Sequence, residues 1–109
     1  MSETCYLGRD NAFAKQLVLD GTPLTPAEMA AITRVDLIYL GVSYSSSSFP
    51  TAFDWVSKAS DATVVFKPGN IPTIPAGRDK EAEFIVYAPD YPDGIVWGHI
   101  DLKMIDLGV

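Results

Sequence analysis

Glu81-Ala82-Glu83-Phe84-Ile85-Val86-Tyr87-Ala88 is followed by Pro89-Asp90-Tyr91-Pro92-Asp93-Gly94 and, after Ile95, by Val96-Trp97-Gly98-His99-Ile100-Asp101-Leu102-Lys103-Met104-Ile105-Asp106-Leu107. Successive side chains of a strand point to opposite faces, so Ala82, Phe84 and Val86 share one side while Glu83, Ile85 and Tyr87 share the other. The same period of two in residues 96–107 sets Val96, Gly98, Ile100, Leu102 and Met104 on a core side. Trp97, His99, Asp101, Lys103 and Ile105 then face outward. Residues 89–94, with two prolines and an Asp-Gly pair, are a turn, and the two runs form an antiparallel hairpin.

Working back towards the N-terminus, turn signals keep cutting the chain into short apolar runs. Residues 14–19 are expected as a first strand, ended by the Asp20-Gly21 turn, whose glycine tolerates positive φ. Thr25-Pro26-Ala27-Glu28 has the spacing of a capping box, with proline at the first helical position, and predicts one short helix over residues 26–32. Its Met29 and Ile32 share a face. Residues 34–40 form a strand entering the core and residues 41–50 with Ser45-Ser46-Ser47-Ser48 an exposed loop; in residues 51–56 Phe53 and Trp55 alternate with Asp54 as in a strand, the reading preferred here, while Phe53 and Val56 also fit a helical turn. Residues 62–66 are a β-branched strand, and the prolines of residues 71–77 leave an extended connection there. Six or seven short strands with turns between them describe an all-β domain, a sandwich in preference to a barrel.

The chain has 109 residues, 48% of them hydrophobic, which is enough for one continuous core and one domain over residues 1–109. Eight basic and 14 acidic residues leave a net charge of −6, so a phosphate backbone would repel the chain and nucleic acid is not expected as a partner. Apolar runs of about six residues fall well short of the ~20 that a membrane-spanning helix needs. The N-terminus, Met1-Ser2-Glu3-Thr4-Cys5, has no basic and apolar leader pattern, and one cysteine cannot close an intramolecular disulfide. On these features the protein is expected in a reducing cytoplasm.

No catalytic constellation emerges. A Ser-His-Asp site would have to use His99, the single histidine, but no nucleophile elbow accompanies it, and an ordinary strand histidine accounts for its position. A Cys5–His99 dyad is equally unsupported. One cysteine and one histidine cannot make a zinc site, and Asp90 and Asp93 are explained by a tight turn without calcium. Glu81 and Glu83 share a face as a solvated pair does, and no phosphate-cradling glycine loop or other cofactor pattern occurs. Aromatic residues are the enriched chemistry. Trp55, Tyr91 and Trp97, with His99 on the outward row, are the candidate contact surface, because exposed rings anchor protein partners or stack on sugars.

Several motifs together span nearly the whole chain: Tyr6-Leu7-Gly8-Arg9-Asp10-Asn11, Asp20-Gly21-Thr22-Pro23-Leu24, Thr33-Arg34-Val35, Phe53-Asp54-Trp55, Ile74-Pro75-Ala76-Gly77 and Val86-Tyr87-Ala88-Pro89-Asp90-Tyr91-Pro92-Asp93-Gly94-Ile95-Val96-Trp97-Gly98. In this pattern the chain resembles small structural proteins of tailed bacteriophages and prophages, and in layout it is similar to the immunoglobulin-like N-terminal domain of baseplate upper proteins. Where those proteins often carry an aromatic after the glycine, Arg78-Asp79-Lys80 stands here. The resemblance implies an immunoglobulin-like antiparallel sandwich and a non-enzymatic particle or assembly component of the tail, baseplate or capsid. Its partners would be other virion proteins or a second copy, and it would move from the bacterial host cytoplasm into the virion. The alternative is a carbohydrate-binding module that stacks host-surface glycan on Trp55, Tyr91 and Trp97.

Overall fold

A computed structural model describes residues 2–107. The strands are β1 (Ser2–Tyr6), β2 (Phe13–Gln16), β3 (Val18–Leu19), β4 (Thr22–Pro23), β5 (Arg34–Tyr39), β6 (Val42–Ser45), β7 (Phe53–Asp54), β8 (Thr63–Phe66), β9 (Gly77–Ala88) and β10 (Tyr91–Ile105). One helix, α1 (Pro26–Ala30), lies between β4 and β5. The protein is therefore all-β with a single short helix, as its punctuation predicts. A five-stranded sheet runs β1-β10-β9-β5-β6, a three-stranded sheet β2-β8-β7, and β3 and β4 make a small ribbon. All pairs are antiparallel except β1 with β10, which is parallel.

The two larger sheets face each other across an aromatic layer. Phe66 of β8 lies 4.1 Å from Phe84 of β9 and 5.3 Å from Phe13 of β2, ring centre to ring centre. Around them Val35, Leu37, Tyr39, Val64, Ala82, Val86, Ile100, Leu102 and Met104 are buried. Fully burying an aliphatic or aromatic side chain of this kind stabilises the fold by roughly 1.5–3 kcal/mol. The helix closes one end of this core through Met29, with Ile32 just beyond it, both buried. Its capping box forms as its sequence predicts: the Glu28 N–H donates to Thr25 Oγ1 and the Thr25 N–H to Glu28 Oε1.

Local chemistry explains most boundaries. Asp20 and Gly21 both have positive φ, 52° and 80°, which gives β3–β4 the two-residue turn whose twist suits a hairpin. Leu40 and Gly41 repeat that geometry between β5 and β6. A leucine in the left-handed region is costly, and the turn was accordingly invisible in residues 41–50, which were expected as a loop. The correction is that Val42–Ser45 is a strand, and that Ser46 is buried, its Oγ accepting from the Val35 N–H.

Other expectations also need correction. The first strand is Ser2–Tyr6, and residues 14–19 are split into two strands because Phe13–Gln16 pairs with β8 whereas Val18–Leu19 leaves that sheet to pair with β4. The helix stops at Ala30 rather than residue 32, and of residues 51–56 only Phe53–Asp54 is strand. The penultimate strand begins at Gly77, so Arg78-Asp79-Lys80 belongs to it. The hairpin turn is only Pro89-Asp90, with Tyr91 paired to Ala88. Among the described residues ten strands, several of them only two residues long, stand where six or seven are expected.

Candidate contact surface

The β9–β10 hairpin positions the groups of interest, and a bulge in it decides which way they face. Val96 pairs with Ile85 and Gly98 with Phe84, so β10 carries one more residue than β9 between these pairs. Such an insertion shifts the alternation by one. Ile100, Leu102 and Met104 face the core as expected, but Val96, expected beside them, sits with outward-facing Ile85 and is 51% exposed. Trp97, expected outward, is half-buried and packs against the core.

The outer face of the five-stranded sheet therefore gains an apolar strip. Ile85 lies between Asp36 on β5 and Val96 on β10, and Ile38, one outward position along β5, pairs with Glu83. Gly94 makes room for the strip's end: a Cβ there would lie 2.6 Å from Ile85 and 2.7 Å from Tyr87. Charged groups rim it. The Arg34 guanidinium stacks 3.9 Å above the Tyr87 ring while its Nε approaches Asp36 Oδ1 at 3.2 Å. His99 Nε2 lies 3.6 Å from Glu83 Oε1, a pair exposed enough to contribute little to stability. Further along, Arg78 grips Asp101 with two bonds, from Nε at 2.8 Å and Nη2 at 2.5 Å, which hold the Asp101 carboxyl below the usual carboxylate range.

The four expected contact residues do not form one surface. His99 stands on the rim of the outer face. Tyr91 and Trp97 lie at the hairpin's turn end on its core side, 6.3 Å apart with rings tilted by 50°, both half-buried. Trp55 follows β7 and also packs on the core; among the described residues no ring contact joins it to that pair. Its turn is fixed by Asp54, whose Oδ1 accepts from the Val56 and Ser57 N–H groups while the Ser57 hydroxyl donates to Oδ2. The Ser57 hydroxyl first, then these N–H groups, hold the Asp54 carboxyl below its usual range. The residues that sequence reasoning missed are Ile38, Ile85 and Val96. Ile85 was legible as outward, but Val96 needed the bulge.

Beside the aromatic pair, Ala27, Glu28, Ala31, Ala88, Pro89, Asp90 and Tyr91 line a groove of about 270 Å³ between α1 and the hairpin turn. Burial first, then the Glu28 and Asp90 charges, push the Tyr91 phenol above its ordinary pKa. Cys5 is buried on the core side opposite Met104, whereas His99 points outward, so no thiol–imidazole dyad forms. Among the described residues no three His, Cys, Asp or Glu side chains gather as metal ligands, and no helix is long and apolar enough to cross a membrane. No protein-family model, curated protein or solved structure matches the chain.

Proposed function

We propose that the chain is a non-enzymatic, immunoglobulin-like contact module that docks on other proteins, a second copy of itself first among them. The observation that carries the contact role is the apolar strip of half-buried Ile38 and Ile85 with exposed Val96, edged by Arg34, Glu83 and His99, while Asp36 lies buried beside Ile85 under its ion pair with Arg34. An apolar centre within a polar rim is the anatomy of a protein interface. A two-fold axis through this face would bury the strip against its own copy.

Strand order supports the immunoglobulin-like reading. With β2, β5, β6, β7, β8, β9 and β10 in the roles of strands B, C, C′, D, E, F and G, one sheet reads B-E-D and the other G-F-C-C′, the variable-type arrangement. The inter-sheet disulfide of antibody domains has no counterpart in a chain with one cysteine, and the Phe66–Phe84 contact occupies the core instead. The motif pattern resembling tailed-phage structural proteins supports a particle or assembly setting, with other virion proteins as further partners.

Sedimentation velocity across a concentration series tests the reading. Wild-type chain is expected to self-associate, and Val96→Lys to stay monomeric at an unchanged melting temperature. A wild-type chain that remains monomeric throughout, or a Val96→Lys variant that associates equally well, would overturn it. The glycan alternative keeps one favourable observation, the Tyr91–Trp97 pair, and a glycan array showing Trp97-dependent binding would favour it instead.

A further inference from the structure

We propose that the groove between α1 and the β9–β10 turn receives a cationic side chain, a lysine or arginine, from a protein partner. The inference rests on the contact-module reading and names the chemistry of one partner residue. Ala27, Ala31 and Ala88 present nothing larger than a methyl group, and Pro89 adds its ring, so an open groove with a largely apolar floor remains at the surface. At about 270 Å³ it lies just below the ~300 Å³ at which small-molecule sites begin, a size suited to one side chain.

Charge selects the occupant. Glu28 and Asp90 both line the groove, no basic residue does, and both carboxylates are close enough to act on the Tyr91 phenol. Asp90 makes no hydrogen bond or ion pair among the described residues, and Glu28 uses only Oε1 in the helix cap. A lysine stem would lie on the alanine walls with its ammonium between the carboxylates. An arginine would add stacking on Tyr91. An anion meets two like charges here on a chain that already carries −6, whereas a neutral sugar would hydrogen-bond its hydroxyls to the carboxylates but form no ion pair with them.

The test is a titration of the full-length chain, labelled at its alanine methyls, with the tripeptide acetyl-Gly-Lys-Gly-amide and with its norleucine analogue. The Ala27, Ala31 and Ala88 methyl resonances are expected to shift saturably with the lysine peptide, less so in high salt, and not with norleucine. Glu28→Gln and Asp90→Asn should each weaken binding roughly two- to fivefold. Glutamine still completes the capping box, so Glu28→Gln separates the charge from the helix. Equal shifts from norleucine, shifts indifferent to both substitutions, no shift at all, or equal shifts from maltose would each overturn the proposal. Such a failure with self-association intact and still Val96-dependent overturns the groove alone, whereas loss of self-association strikes the contact-module reading itself.

Discussion

Leu102→Ala and Val96→Ala are equivalent under strict alternation along β10, and the bulge at Trp97 makes them unequal. Leu102 is fully buried between the sheets, so truncation removes its transfer energy and leaves a cavity, at a cost of about 2–5 kcal/mol. Val96 is 51% exposed. Losing its methyl groups, worth about 0.8 kcal/mol each when fully buried, should then cost less than about 1 kcal/mol. For 109 residues at roughly 0.05–0.15 kcal/mol per residue, the domain's stability is of order 5–16 kcal/mol, so the Leu102 change is a large share and the Val96 change a small one. Equilibrium urea unfolding followed by far-ultraviolet circular dichroism measures both, with an unchanged denaturant slope as the check that only stability moved. If Val96→Ala proved as costly as Leu102→Ala, the parity shift would be wrong, and with it the outward apolar strip.

Two further predictions concern buried or strained groups. Burial, followed by the Glu3 charge, pushes the Cys5 thiol from its ordinary 9.0 up to about 11. The folded state then holds a proton that the unfolded chain releases, so a contribution on the order of 2–3 kcal/mol is intact below pH 9.0 and is lost as pH rises through about 11. Comparing urea midpoints of wild type and Cys5→Val across that window isolates it from Tyr39 and Tyr44, whose burial shifts them the same way; parallel curves would refute it. Leu40, at φ 50° before Gly41, should welcome replacement by asparagine. Leu40→Asn creates the Asn-Gly pair that favours this turn and is expected to raise stability by about 0.5–1 kcal/mol in thermal unfolding, and a lowered melting temperature would contradict the turn assignment.

Strong local chemistry made much of the fold legible. The Thr25–Glu28 capping box, the Asp20-Gly21 turn, the β-branched run of β8 and the alternation of Ala82, Phe84 and Val86 each satisfy their own backbone or bury their own face, and each appears as expected. β1 was not legible, because a five-residue edge strand that pairs in parallel with residues almost a hundred positions away carries no local signature. β6 was hidden for a related reason: its turn forces leucine into a conformation that leucine disfavours, and only the register with β5 sustains it.

The candidate surface divides along the same line. His99 was placed outward by alternation and is outward, and Ile85 was assigned its face from its neighbours. The bulge at Trp97 arises from how β10 must meet β9, and so its effect on Val96 and Trp97 belongs to the pairing rather than to either strand alone. The sequence by itself determined an all-β chain, its capped helix and the inner row of its main hairpin, because periodicity and turn chemistry act over a few residues. Only the tertiary structure decided which strands lie side by side, that an apolar strip faces solvent, and that α1 meets the hairpin turn to frame an acidic groove, since each of these depends on contacts between residues distant in the chain.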